Sequence, residues 1–372
     1  MAIDETLLKS DEKAVFALRS LYQRFGYTRF KMSKFEEYDL YVQNKDFLVS
    51  DGIITFTDTN GRLKALKPDV TLSIINNSKD TDSVQKLYYN ENVYRISGSS
   101  HTYKEIMQTG LECIGNIGRF EICEVLSLAM KSLETIDSHC ILELSHVGLI
   151  EAAFDELQLP KALRSKIIVC INRKNSDDLK SICADNGLDQ AAAEKIAVFT
   201  GNYKDAEEAF KAVENAFCST AVAEALNEFK EIFGIIKAAG NQVKLTVDFS
   251  CIGGMSYYSG VVFKGYINNI PDAVLSGGQY DKLMRKMHRS AGAIGFAVYL
   301  DALEKFDRRE KEYDVDTVLI YGDDISAALK TSEMLSAGGN SVLACGNVPQ
   351  NIRYRQLIKL GEKGLETVYG ND

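Results

Sequence analysis

Apolar residues at helical spacing open the chain. Val15, Leu18, Tyr22 and Phe25 fall on one face and Gly26 ends the run, which predicts an amphipathic helix over residues 4–25. A strand and then a loop are expected over residues 26–41. Ile54 and Phe56 alternate with Thr55 and Thr57, an Asn60-Gly61 turn follows, and Leu63 and Leu66 come next, so residues 52–66 predict a hairpin. Lys67-Pro68-Asp69-Val70-Thr71 opens a second helix through Ile74 and Ile75. Residues 86–97 and 105–115 read as two strands around a polar loop, Ser97–Lys104. A helix is expected over 121–134 and a strand over 139–145. Helices alternating with antiparallel hairpins argue an α+β fold rather than a doubly wound α/β domain.

The pattern changes at about residue 148. Up to about 240 it is helical nearly throughout, as in DQAAAEKIAVF and DAEEAFKAVENAF. Strand patterning returns at Val243–Phe249, Gly260–Tyr266 and Ala291–Tyr299. A helical block between sheet-forming blocks suggests an insertion, with the strands on either side in one sheet. The tail is expected to be β-α-β-α-β: strands at 317–321, 341–345 and 366–369, and helices over Ile325–Ala337 and Arg353–Lys363. That pattern predicts a small parallel α/β domain. The expected organisation is therefore a core over 1–310, with the insertion at about 148–240, and a tail domain over 311–372.

Composition narrows the function class. A chain of 372 residues suggests two or three domains. With 43 Lys+Arg against 52 Asp+Glu, the net charge is −9, which argues against holding nucleic acid by charge alone. No run of about 18 apolar residues predicts a membrane span. The polar N-terminus has no apolar signal core, so a cytoplasmic protein is expected. The eight cysteines form no C-x-x-C pair and predict free thiols. None of the four histidines lies in an H-E-x-x-H pattern. No metal and no cofactor are expected.

Four segments carry the chemistry: LKPDVT (66–71), VYRISGSSHTYKEIMQTGLECIG (93–115), GGMSYYSGVVF (253–263), and SGGQYDKL with GAIGFAVYLDAL (276–283 and 292–303). In this order, with a helical insertion between the second and third, they resemble the class II aminoacyl-tRNA synthetase core of the histidyl type. The resemblance covers about residues 1–305 and implies an antiparallel sheet flanked by helices. It also implies that the tail is a shortened anticodon-binding domain, and that the first helix and following strand form a dimer element. Ser33 stands where that element customarily has proline.

Residue by residue, the resemblance divides in two. Arg95 matches the motif 2 arginine, whose planar fork suits a carboxylate or phosphate. Ser97 stands where the family has a glutamate that reads adenine. Gly253 stands where R-G-L-x-Y-Y has an arginine that stabilises the reacting phosphate. In G-F-x-x-G-x-E-R-L, Tyr299 replaces a glycine and Ala302 an arginine that serves the nucleotide. The amino-acid side is kept: Asp69, Thr71, Arg95, Gln108, Glu112, Tyr257 and Tyr258 match positions that imply histidine binding. Gln108 and Glu112 are four apart on a strand and share a face. Alternatively, Arg95 and Glu112 form a buried ion pair and the two tyrosines belong to the core. His101 is expected to be a solvated loop residue.

A core that keeps histidine ligands and loses ATP-directed groups resembles the regulatory subunits of ATP phosphoribosyltransferase. That family implies no catalytic site in this chain and a short-form catalytic subunit as partner in a hetero-oligomer. It also implies histidine as effector, with tRNA an improbable ligand. A divergent histidyl-tRNA synthetase and a stand-alone amino-acid- or tRNA-binding paralogue stay open.

Overall fold

The computed structural model describes residues 8–48, 52–78, 83–96, 102–240, 242–253, 258–304, 312–361 and 364–370, and the statements below concern those residues. The chain divides into two compact units, residues 1–307 and 308–372.

The first unit is built on an eight-stranded sheet. Its strands are β1 (Thr28–Arg29), β5 (Gln85–Ile96), β6 (Tyr103–Gly115), β7 (Cys140–His146), β8 (Lys244–Val247), β9 (Val261–Ile267), β10 (Leu275–Gln279) and β11 (Gly292–Tyr299). They lie in the order β1-β5-β6-β11-β10-β9-β7-β8. Pairing is antiparallel except at the two edges, β1 with β5 and β7 with β8. A separate three-stranded sheet, β2-β4-β3, consists of β2 (Phe35–Glu37), β3 (Thr55–Thr57) and β4 (Leu63–Leu66). β3 and β4 are the hairpin expected from the Asn60-Gly61 turn.

Two helices cover one face of the large sheet. Helix α1 (Ser10–Arg24) is shorter than the 4–25 expected. Val15, Leu18 and Tyr22 are buried on it, whereas Phe25 lies beyond its last turn and is 36% exposed. Residues 1–7 lie outside the described residues. After α2 (Tyr38–Gln43) and α3 (Val70–Asn77) comes α4 (Arg119–Ile136), which buries Val125, Leu126, Leu128, Ala129 and Leu133 completely. Tyr22 of α1 meets Ser132 of α4 in a buried 3.0 Å hydrogen bond. Alternation along the strands sorts the side chains into two cores. Tyr88, Leu111, Cys113 and Phe296 join the α1–α4 side, while Tyr89, Val93, Ile114 and Ala293 join α3 on the other.

The helical block is α5 (Val147–Glu156), α6 (Lys161–Asn172), α7 (Ser176–Asp185), α8 (Gln190–Ala197), α9 (Ala206–Ala216) and α10 (Thr220–Ala238). It leaves the sheet at β7 and returns at β8, and those strands are neighbours. That is the topology of an insertion into a continuous sheet. Short helices α11 (Asp281–Lys286) and α12 (Asp301–Glu304) flank β11.

The second unit differs from expectation. It contains β12 (Val315–Ile320), α13 (Ile325–Ser336), β13 (Val342–Cys345), β14 (Tyr354–Gly361) and β15 (Gly364–Gly370), ordered β13-β12-β14-β15. The helix expected over Arg353–Lys363 is a strand. β14 pairs parallel with β12 and antiparallel with β15, so the domain is a mixed sheet with one helix rather than a parallel β-α-β-α-β. The adjacent apolar pair Leu357-Ile358 is buried on both faces of this sheet, and Gly361 and Gly364 close the β14–β15 hairpin.

Of the eight cysteines, Cys218 is exposed, Cys345 half-buried and the others buried, all as free thiols. No described helix is long and apolar enough to cross a membrane.

Candidate functional site

The face of the sheet opposite α1 and α4 carries a cavity of about 450 Å³. Its floor follows from strand register. Gly110 of β6, Ala297 of β11, Ser276 of β10 and Lys264 of β9 lie directly opposite one another in a row across four strands. Two residues along, Glu112 lies opposite Gly295, and two residues the other way Gln108 lies opposite Tyr299. The start of α3 contributes Asp69, Val70 and Thr71. Phe47, Leu48, Gly253 and Tyr258 complete the wall.

Glu112 is the hub, 2% exposed. It accepts hydrogen bonds from Thr71 Oγ1 at 2.8 Å and from the Tyr280 hydroxyl. Burial pushes its carboxyl up to about 8; the bonds from Tyr280 and Thr71 pull the other way, and Asp69 adds to the rise. Its side chain lies over Gly295, where a Cβ would stand 1.8 Å from Glu112 Oε2 and 2.5 Å from the Leu111 carbonyl. Only glycine allows that approach. At neutral pH burial therefore favours the protonated form of Glu112.

Asp69 caps α3, accepting from the Leu72 backbone N–H at 2.8 Å. Burial raises its carboxyl, opposed by that N–H and by Arg95. Arg95 donates from Nε to the Pro68 carbonyl at 3.0 Å, which holds its guanidinium against the turn before α3. Among the ion pairs of the described residues, Arg95 and Glu112 do not form one, so the ion-pair alternative gives way to two separately anchored groups. Burial pushes the Tyr89 and Tyr258 hydroxyls up, and both stay protonated donors. Ser276 Oγ and the Tyr299 hydroxyl bond at 2.6 Å across β10 and β11.

The structure thus brings together Asp69, Thr71, Arg95, Gln108, Glu112 and Tyr258 in one cavity. Tyr257, Ser97 and His101 lie outside the described residues. Tyr280, Tyr89, Ser276 and Lys264 are additions that the sequence did not single out, and Tyr299, noted there only as a replacement for glycine, lines the same wall. Tyr280 stands inside the SGGQYDKL segment, but its contact with Glu112 spans 168 residues and no spacing announces it. Gly253 lines the cavity without a side chain, and Ala302 sits on α12, partly buried against the core.

Buried carboxyls, hydroxyl donors and aromatic rings around a small cavity, with two cations in the same wall, suit a zwitterion that carries a polar ring. Against known proteins, the family model described as histidyl-tRNA synthetase matches residues 4–303. The chain belongs to the histidyl-tRNA synthetase family. Among the chain's curated relatives, an ATP phosphoribosyltransferase regulatory subunit from Bacillus thuringiensis is 29% identical over 306 residues, 79% of this chain and 71% of the relative. Another, from Oceanobacillus iheyensis, is 24% identical over 290 residues, 77% of this chain and 71% of that one.

Solved structures share the class II synthetase fold. An ATP phosphoribosyltransferase regulatory subunit/histidyl-tRNA synthetase from Bacillus halodurans superposes with a TM-score of 0.72 at 21% identity, covering 94% of this chain and 93% of that one. A chain of the ATP phosphoribosyl transferase (HisG:HisZ) complex from Thermotoga maritima gives 0.62 at 20%, covering 78% and 97%. A histidyl-tRNA synthetase from a Nostoc species gives 0.68 at 14%, covering 95% and 88%.

Proposed function

We propose that this chain is the non-catalytic regulatory subunit of ATP phosphoribosyltransferase, required for activity and for histidine feedback inhibition in the first step of histidine biosynthesis. One observation carries the reading. The cavity holds an anchored set of acids, hydroxyls and aromatic rings, while the positions where the family resemblance expects nucleotide-directed arginines are Gly253 and Ala302, which offer no donor. Tyr299, where the resemblance expects glycine, adds a phenol ring to the same wall. The names of the curated relatives support the same reading.

Asp69, Thr71, Arg95, Gln108, Glu112, Tyr257 and Tyr258 form the histidine site in this account. Glu112, with Tyr280 and Thr71 behind it, faces the imidazole. Asp69 takes the ammonium group. The chain works in the cytoplasm as a homodimer within a hetero-oligomer, and residues 311–372 are a shortened counterpart of the anticodon-binding domain. Histidine acts by binding one assembly state more tightly than another, a coupling typically worth about 1–3 kcal/mol.

The test is to mix the purified chain with a short-form catalytic ATP phosphoribosyltransferase and follow co-elution and phosphoribosyl-ATP formation. Co-elution with a rise in activity is expected. Two proteins that neither co-elute nor alter each other's activity contradict the reading, and a stand-alone amino-acid-binding paralogue then takes its place.

A further inference from the structure

One cation in the cavity has no role in the account so far. Lys264 projects from β9 on the cavity face, half-buried, and lines the wall beside Gly253. A Cβ built on Gly253 would lie 3.9 Å from Lys264 Nζ, and no other atom would come within 4 Å. The space that a side chain at 253 would enter is thus bordered by the lysine ammonium. Among the described residues, no carboxylate lies within 4 Å of Nζ as an ion-pair partner. Glu143 stands directly opposite Lys264 across β7 and β9, and the lysine opposes the rise that burial gives its carboxyl without forming an ion pair within 4 Å. An ammonium in a partly desolvated wall without a bonded anion is favourable ground for an anionic ligand group.

The cavity's charges are also arranged by end. Glu112 and Asp69 gather at β6 and the start of α3, and Arg95 is tied there through Pro68. Lys264 is three strands away along the row Gly110–Ala297–Ser276–Lys264, a backbone span of about 14 Å. Between the acidic end and the lysine, Ala297 and Ser276 carry small side chains, while the Tyr89 hydroxyl stands over Gly110.

We infer that Lys264 binds the carboxylate of the amino acid held in this cavity, as a specificity-determining residue. The inference rests on the histidine-site reading above. It separates an amino acid from the corresponding amine, which has the same ring and ammonium group but no anion.

The test is calorimetric titration of the full-length protein with L-histidine, histamine and ATP, for the unaltered chain, Lys264→Met and Lys264→Arg. Lys264→Met should weaken histidine about tenfold or more, the scale of one charge-assisted hydrogen bond. Histamine binding should stay within about twofold, and Lys264→Arg should restore most of the histidine affinity; an effect confined to the anion-bearing ligand is not one a structural pair with Glu143 would produce. Unchanged histidine affinity, parallel weakening of histidine and histamine, or an effect seen with ATP alone overturns the assignment while leaving the histidine site standing. An unaltered chain that binds neither histidine nor histamine overturns both the site reading and the assignment.

Discussion

The two ends of the cavity are built by different rules. At the α3–β6 end the charged groups are held: Glu112 by Thr71 and Tyr280, Asp69 by the Leu72 N–H, and Arg95 by the Pro68 carbonyl. At the β9–β11 end the wall consists of Gly253, Ser276, Ala297 and Tyr299, with Lys264 as its charged group. The first end is preorganised for hydrogen bonding to a ligand. In the proposed reading, the second lacks the donors that would stabilise charge developing on a transferring phosphate. In that reading binding and catalysis are separable in one cavity, because ground-state recognition and transition-state stabilisation draw on different side chains.

The largest effect that could break this contrast is catalysis itself. Each missing preorganised donor costs about 10²–10³ in rate, so histidine-dependent pyrophosphate exchange with ATP should stay at background. Exchange well above background would mean that the β9–β11 end is furnished from elsewhere. Next in size is Gly295→Ala. The new Cβ would collide with the Glu112 carboxyl and with the Leu111 backbone carbonyl, which cannot rotate away. Loss of measurable histidine binding and destabilisation by about 1–3 kcal/mol are expected in calorimetry and chemical denaturation.

Glu112→Gln sharpens the comparison through pH. The folded carboxyl titrates near 8 against an ordinary 4.5. Its favourable contribution is full below about 4.5 and is lost as pH rises through 8. Relative to the parent, Glu112→Gln should therefore gain several kcal/mol between pH 4.5 and 8, and level off above that. Parallel stability curves for the two proteins would contradict a Glu112 whose ionisation is penalised by burial.

The smallest effect is a control outside both ends. His146 caps α5 by accepting the Leu149 N–H on Nδ1 at 3.0 Å, and burial lowers its pKa to about 4 from 6.5. The unfolded chain takes up a proton first as pH falls, so stability is lost from about 6.5 down through 4. His146→Asn keeps a capping acceptor; it should change neutral-pH stability by no more than about 1 kcal/mol and flatten the acid limb. An unchanged acid limb would show that His146 does not control it.

How much of this was legible in the sequence depended on how local the cause was. The β3–β4 hairpin, the insertion between β7 and β8 and the shared face of Gln108 and Glu112 follow from turn chemistry and from periods of two and 3.6. β14 was misread because Leu357, Ile358 and Leu360 also fit a helical face, and its pairing with β12 lies 39 residues away. β10 went unread because SGGQ looks like a loop. Gly277 is a glycine of necessity, since a Cβ there would lie 2.4 Å from the Gly295 carbonyl. Tyr280 and Lys264 were invisible as site residues, because only sheet register and a distant contact bring them to the cavity.

The central claim is that the α3–β6 end of this cavity senses histidine on behalf of a partner enzyme. The most direct measurement is the histidine inhibition curve of the assembled complex with the catalytic ATP phosphoribosyltransferase subunit, for the unaltered chain and for Glu112→Ala. The account predicts inhibition with the unaltered chain and a curve displaced about tenfold or more to higher histidine for the variant, as expected when a buried polar partner is removed. Superimposable curves would place histidine sensing elsewhere and leave the cavity without the role assigned to it.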